Sequence, residues 1–474
     1  MATTTTESPA GNYRWKVAAV ISGSFLFSAM DLNSALVALP TIAGEYGVDL
    51  PTVQWVVLVS FLTMNALLLP LGRMSDLAGR KRLLLIGLVV TGVGGILSFL
   101  APTLPWLYAA RAVQGVGAAG LQAVGPPLLV AAFPANERGK AMGVNVTMVS
   151  VGLMLGPVLG GLIAGSIGWR YIFLLPVPVA LLAAFIGGRV LRETPKTEGE
   201  RFDFPGTALL VLWMLPLFYI LNQGSKLGWG SPTILALIAV VVVAFASFMW
   251  SQLRSDHPVV ALSVFRNRRF TTAVVVAVLN FMAFGATVLL VPFMLQNQLG
   301  LEVTKVGLVM SVIPLSSLVL ASSGGMLSDR FGAQMMTMIG LLLRAVGMLA
   351  MGLLAAGATI GALIAPMIAI GVGQALFQPP NASTLLGALP RRHGGLAGGF
   401  LALSRTFGMG LGQVVWGVVF AGVVTGVAGV SSALDAPPEI MADGFRVSFV
   451  GAGVILLLTA ALALSRGKGE PETL

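Results

Sequence analysis

Asp31 and Arg111 are the residues whose chemistry packing explains least. Each interrupts a long apolar stretch, Asp31 within residues 15–39 and Arg111 within 105–132. An unpaired charge in the middle of a membrane-length helix costs about 2.5–3.5 kcal/mol on insertion scales. A carboxylate and a guanidinium brought together there would hold one another. A proton arriving on the carboxylate would loosen the pair, so proton carriage is the chemistry these residue types offer. Asp31 is also the one acid inside any predicted span. The depths agree. If successive spans alternate in direction, Asp31 lies ~14 Å and Arg111 ~9 Å from the same face at ~1.5 Å per residue.

The elements that hold such a pair are set by the solvent. Of 474 residues 56% are hydrophobic and only 10% charged, against roughly 25% charged in a soluble protein. The mean hydropathy is +0.92. Lipid is the implied solvent, and the 59 glycines and 26 prolines suit helices packed within it. Cysteine is absent, which excludes disulfides, thiolate metal sites and cysteine nucleophiles. His257 and His393 fall in loops and cannot form a metal cluster alone, so neither metal nor cofactor is expected. The net charge of +10 is dispersed in short basic segments between apolar runs, which suits anionic lipid and not nucleic acid.

Fourteen runs are long enough to cross ~30 Å of hydrocarbon. With the N-terminus inside, 21 of the 28 lysines and arginines fall on inner segments, while Arg170, Lys226, Lys305 and Arg446 fall outside. That asymmetry predicts a multi-pass inner-membrane protein with both termini cytoplasmic. Trp55, Trp106, Trp169 and Trp229 then gather near one interface. The expected organisation is a disordered cytoplasmic tail (1–14), a six-helix bundle (15–191), linkers with two inserted helices (192–270), a second six-helix bundle (271–465) and a cytoplasmic tail (466–474). Span 7 is the least certain in its pattern, because Pro216, Asn222 and Gln223 interrupt it.

The bundles read as copies. An offset of 256 carries Gly115 and Gly117 to Gly371 and Gly373, Pro134 to Pro390, and Gly152, Gly156 and Gly161 to Gly408, Gly412 and Gly417. An offset of 253 carries Gly72, Ser75, Asp76 and Gly79 to Gly325, Ser328, Asp329 and Gly332. By those offsets Phe284 and Met367 stand where Asp31 and Arg111 do, so the charges are asymmetric on a symmetric scaffold. Parallel repeats of this kind belong to transporters that rock one half against the other around a midplane site.

Four motifs sharpen the reading. Gly72-Arg-Met-Ser-Asp76-Leu-Ala-Gly79-Arg80-Lys81-Arg82 follows span 2, where it would serve topology at the least. Arg111 opens Arg-x-x-Gln114-Gly115-x-Gly117 in span 4. Span 5 holds Gly152-x-x-x-Gly156-Pro157-x-x-Gly160-Gly161, small-residue spacing that lets helices approach, with a proline that bends them. Span 1 holds Met30-Asp31-Leu-Asn33-Ser-Ala-Leu-Val-Ala38-Leu39-Pro40. Together these resemble the major facilitator superfamily, and the fourteen-span count and span 1 stretch resemble its drug:proton antiporters. Met74 and Leu77 depart from the loop signature, and Asn33 and Leu36 from the span 1 pattern.

The resemblance implies an all-α membrane protein of the major facilitator fold, not an enzyme. It implies proton-coupled export of a hydrophobic or amphiphilic small molecule by alternating access, with protons, membrane lipid and the substrate as partners and a monomer as the functional unit. It makes Asp31 and Arg111 the coupling pair, and Gly72, Asp76, Gly79, Arg80 and Lys81 a gating loop, in which Asp76 would pair with Arg80 or cap a helix. Gly152, Gly156, Pro157, Gly160 and Gly161 become the antiporter motif. Spans 1, 4, 9 and 12 would face the substrate, which makes Asn33, Gln114, Asn280, Phe281, Phe284, Gln374, Phe377, Gln378 and Asn381 cavity residues. Arg344 and Arg405 lie in spans 11 and 13 without an evident acidic partner. An uptake symporter of the same fold, or a lipid or siderophore exporter, is the alternative. No G-x-x-x-x-G-K-[ST] loop occurs, so ATP does not drive the cycle directly.

The absence of cysteine makes the topology testable without background. Single thiols placed in 72–82, 136–140 or 391–394 are expected to react only from the cytoplasmic side, and those in 432–442 only from outside. External labelling of the 72–82 loop overturns the orientation.

Overall fold

A computed structural model describes residues 11–134, 137–193, 203–255, 258–260, 262–389, 394–430 and 433–464, and all regular structure among them is helical. Among the described residues, fourteen helices are long and apolar enough to cross a membrane. Spans 1–6 are Tyr13–Tyr46, Leu50–Ser75, Arg80–Phe99, Leu104–Ala132, Thr147–Ser166 and Trp169–Val190. Spans 7 and 8 are Phe204–Gly224 and Pro232–Arg254. Spans 9–14 are Arg268–Gln298, Val303–Leu320, Ala333–Gly357, Ile360–Gly387, Ala397–Ala428 and Pro438–Leu464. The first helix begins at Gly11, so residues 11–14 belong to it and not to the predicted tail. Arg14 there pairs with Glu137 at 2.7 Å.

In lipid a helix satisfies its own backbone, and the packing between helices must come from shape. Small residues supply it here, with the same partners in each half. Span 1 packs on 5 as 9 does on 13, and spans 2, 3 and 4 pack together as 10, 11 and 12 do. The atoms repeat as well. A methyl built on Gly115 would strike the Ser60 carbonyl, and one on Gly371 the Ile313 carbonyl, 253 residues after Ser60. For span 1 the contacts correct the sequence register. Gly152 and Gly156 lie against Leu26 and Met30, and Gly408 and Gly412 lie against Val278 and Met282. The offset there is 252, so Ala283 and not Phe284 stands where Asp31 does.

Span 1 also runs past Pro40 to Tyr46, beyond its predicted end. Proline removes one helical hydrogen bond and bends the turn before it. The carbonyl of Val37 in that turn accepts from Gln296 Nε2 at 2.9 Å, a contact between spans 1 and 9.

One end of the molecule is closed by two seams that the repeat relates. In the first, Gly161 of span 5 rests on Gly307 of span 10, and a methyl on Gly307 would lie 2.1 Å from the Pro157 carbonyl oxygen. In the second, Gly417 of span 13 rests on the Gln54 side chain at span 2. At the other end, where the 72–82 segment lies, the halves part around a cavity.

Spans 7 and 8 form a pair on the outside of the second seam. Asp203 accepts from the Gly206 amide at 2.8 Å and from Gln252 Nε2 at 3.0 Å, which caps span 7 and ties it to span 8. Span 7 is continuous despite Asn222 because that side chain has a protein partner. It is fully buried and donates to Gln54 Oε1 at 2.8 Å.

Asn222→Leu leaves a buried glutamine oxygen without its donor and is expected to lower stability by about 1 kcal/mol, typical of a polar contact between membrane helices. Adding Gln54→Leu should recover part of that loss, read as thermal unfolding in detergent. Additive losses in the double variant would show that the two side chains are uncoupled.

Candidate functional site

Arg111 projects from span 4 into the middle of the first bundle and is fully buried. Its Nη1 donates to Asp31 Oδ2 at 3.1 Å and to Gln114 Oε1 at 2.5 Å. Its Nε donates to the Val56 carbonyl at 3.0 Å, and the guanidinium lies 5.3 Å from the centre of the Phe173 ring. The Arg111 carbonyl in turn accepts from Ser60 Oγ at 2.7 Å. Spans 1, 2, 4 and 6 thus converge on one cation. Gln114 sits one helical turn after Arg111, so its contact was readable from the motif. Val56, Ser60 and Phe173 were not, since nothing in their residue types sets them apart.

The arginine has more than one acceptor, which bears on its chemistry. Asp31 Oδ1 and Arg111 Nη2 have no hydrogen-bond partner among the described residues. Neutralising Asp31 would remove the ion pair but leave Gln114 and the Val56 carbonyl to hold the guanidinium. A buried cation that keeps such acceptors can let its carboxylate go at lower cost than one that depends on it alone.

Asp31, Arg111 and Gln114 line a cavity of about 1130 Å³ between the two halves. Phe281, Phe377, Gln378 and Asn381 line it from the second half. A smaller space of about 100 Å³ adjoins it, bordered by Asn33, Phe284, Gln374 and Pro157. Asn280 is the predicted cavity residue that borders neither. It is fully buried and its Oδ1 accepts from Arg344 Nη1, which faces away from the cavity into the second bundle. Arg344 also donates to Gln374 Oε1 and lies 5.0 Å from the centre of the Phe284 ring. Amide oxygens, not a carboxylate, receive this second buried cation. Arg405, which sequence reasoning noticed without assigning, borders both spaces.

The 72–82 segment turns between spans 2 and 3 at Gly79, whose φ of +104 suits glycine. Glu193 accepts from the Lys81 amide at 3.0 Å, so a carboxylate does meet the N-terminus of a helix here, although a different one from that expected. Lys81 Nζ donates to the Gly188 carbonyl at 2.8 Å. Gly72, Arg73 and Arg80 border the open end of the cavity. The contacts of the Asp76 side chain, and His257 and His393, lie outside the described residues. Gly152, Gly156 and Gly160 seat span 5 on span 1 at Leu26, Met30 and Ser34, beside Asp31. Pro157 and Gly161 form the first seam on the neighbouring side of the same helix, about 100° around it.

Two pseudo-symmetric helical bundles around a cavity that reaches a buried ion pair define a membrane transporter. The chain belongs to the Major Facilitator Superfamily, whose profile matches residues 21–413 and, in a second alignment, 273–473. It is 30% identical over 413 residues to the riboflavin transporter RibZ of Clostridioides difficile strain 630, spanning 87% of this chain and 89% of that one. It is 31% identical over 388 residues to the multidrug resistance protein Stp of Mycobacterium tuberculosis H37Rv, spanning 81% and 72%. Its fold is similar to that of a bacterial homologue of the human lysosomal transporter Spinster in an inward-facing, unoccupied conformation. The TM-score is 0.70 at 16% identity, over 97% of this chain and 98% of the other.

A side chain at Gly156 has no room, since even a methyl would lie 2.9 Å from the Met30 carbonyl oxygen and from Asn33 Cβ. Gly156→Leu is therefore expected to insert normally but to lose most transport, measured as substrate flux against membrane-inserted protein. Wild-type flux would show that span 5 is passive.

Proposed function

We propose that this transporter is a proton-coupled exporter, exchanging protons for a hydrophobic or amphiphilic small molecule by alternating access. The observation that carries the reading is the Asp31–Arg111 pair at the deep end of a cavity open at one end and closed at the other. In this reading both termini are cytoplasmic, and the cavity opens to the cytoplasm. A proton entering from outside binds Asp31 and releases it from Arg111, which keeps its bonds to Gln114 and Val56. With the charge of the pair changed, the cost of exposing or closing the site changes, and proton and substrate come to occupy it in alternation. The size of the cavity and its apolar walls of Phe281, Phe377 and Met409 suit an amphiphile. Export is favoured over uptake by the span 5 glycine–proline run, which joins the helix that bears Asp31 to the seam that must part. The name of the mycobacterial relative points the same way.

Proteoliposomes with an imposed pH gradient test this, screened with dyes and drugs in both gradient directions. Wild-type protein is expected to drive a substrate from the cytoplasmic to the external side when the external side is acidic. Asp31→Asn should abolish gradient-driven accumulation, and Arg111→Ala should impair it. If Asp31→Asn still concentrates substrate using a pH difference, proton carriage lies elsewhere.

A further inference from the structure

The charged lining of the cavity is unbalanced. Among the described residues whose side chains border it, the charged ones are Asp31, Arg73, Arg80, Arg111 and Arg405. Asp31 is already bonded to Arg111, and Arg73 and Arg80 lie at the mouth and have interactions of their own. Arg405 remains. It stands on span 13 where the two spaces adjoin, and no carboxylate or hydrogen-bond acceptor among the described residues engages it. A guanidinium inside a membrane protein is retained where something pairs with it or where it has a partner to receive.

The neighbouring amides are oriented in a way that suits the second case. Arg344 can only donate, so it turns the oxygens of Asn280 and Gln374 toward itself. With its oxygen committed, Gln374 offers its amino group, which donates to Gln378 Oε1 at 3.1 Å. Gln378 has then spent its oxygen on Gln374, and its remaining polar group is the amino end. Gln378 borders both spaces, as Arg405 does. The buried cation thus imposes a direction on a row of amides, and the row ends in donors on a residue that borders the same two spaces as Arg405. This result does not depend on how amide oxygens and nitrogens are assigned, because an arginine at the head of the row permits only one sense.

We propose that Arg405 and Gln378 form an anion-binding subsite that receives an acidic group of the substrate, a carboxylate or similar singly charged oxyacid. The apolar body of the molecule then lies between Phe281 and Met409, which border both spaces. The inference rests on the cavity being the transport site and narrows the substrate class to amphiphilic anions. A cationic amphiphile is disfavoured there, since among the described residues Arg405 is the one charged group that borders the smaller space.

The test uses one fluorescent amphiphile as its free carboxylate, its methyl ester and a cationic amine analogue, with purified full-length protein in proteoliposomes. Wild-type protein should bind the carboxylate about tenfold or more tighter than the ester, and the amine more weakly still. Arg405→Gln should bring carboxylate and ester within about twofold of each other. Arg405→Lys should restore part of the preference. Gln378→Glu, which sets a carboxylate in the space that Arg405 borders at unchanged side-chain length, should abolish it even if the arginine variants prove unstable. The inference fails if wild-type protein shows no carboxylate preference, through equal binding or none, or if the preference survives Gln378→Glu in folded protein. The two readings fail separately. If a pH gradient concentrates the ester or amine through Asp31 without any carboxylate preference, export stands and the anion subsite falls. Arg405-dependent carboxylate binding without gradient-driven accumulation leaves the subsite and overturns proton-coupled export.

Discussion

Arg111 carries a full charge in a place that water does not reach, and much of the first bundle is arranged around that fact. Desolvating a guanidinium costs several kcal/mol, which no single contact restores. Span 1 brings a carboxylate, span 2 a backbone carbonyl, span 4 its own glutamine and span 6 the face of a phenylalanine. Those groups meet only if spans 1, 2 and 4 approach closely. The glycines explain how they do. Gly115 lets span 4 rest on the backbone of span 2 at Ser60, and Gly152 and Gly156 seat span 5 behind span 1 on the helix that bears Asp31. A bulkier residue at these points would pull the acceptors away from the charge.

The second bundle solves a similar problem with different chemistry. Its buried cation, Arg344, lies in span 11, and the contacts of Gly117 and Gly373 place it where the first bundle has Thr91. Ala283 occupies the position of Asp31, so no acid is available, and amide oxygens receive the guanidinium instead. An ion pair and an amide cradle differ in what a proton can do to them. A carboxylate can take up a proton and lose its charge, whereas an amide has no charge to lose. In the proposed reading the first bundle responds to protons and the second holds a fixed positive charge. That division fits the proposed roles, coupling at Asp31 and recognition of an anion at Arg405.

Much of this was legible in the residues because membrane burial makes charges conspicuous. Asp31 and Arg111 stood out as the charges of spans 1 and 4, and depth arithmetic placed them together before any contact was seen. The repeat was legible through glycines and prolines, whose spacing survives where side-chain identity does not. The register of span 1 rests on a single such pair, Pro40 and Pro292, which lie 252 apart, whereas the offset of 253 comes from the loop after span 2. What Gly152 and Gly408 touch gives the same one-residue difference. Glu193 was hidden for another reason. It sits in a charged linker where any acid looks like solvated surface, and its approach to the Lys81 amide depends on how spans 3 and 6 end. The partners of Arg344 were hidden by chemistry, since a search for carboxylates passes over Asn280 and Gln374.

The two seams at the closed end show what the inserted helices add. Where span 5 meets span 10, backbones touch through Gly161 and Gly307, and Thr304 Oγ1 donates to the Gly161 carbonyl at 3.3 Å. Where span 13 meets span 2, a glutamine takes the place of the second glycine, and a bare Gln54 would be a buried polar group short of partners. Asn222 of span 7 supplies one. Span 7 also touches span 2 through Trp55 and Tyr219, with ring centres 5.9 Å apart, and span 13 through Phe218 and Phe407 at 5.6 Å. These contacts differ in how they tolerate motion. A hydrogen bond is lost within about an ångström of displacement, whereas edge-to-face rings keep most of their attraction as they slide. The inserted pair packs on both bundles: Met214 and Phe218 meet Leu58 and Leu62 of span 2 and Val414 of span 13, and Leu210 and Phe248 meet Phe270 and Phe400 of the second bundle.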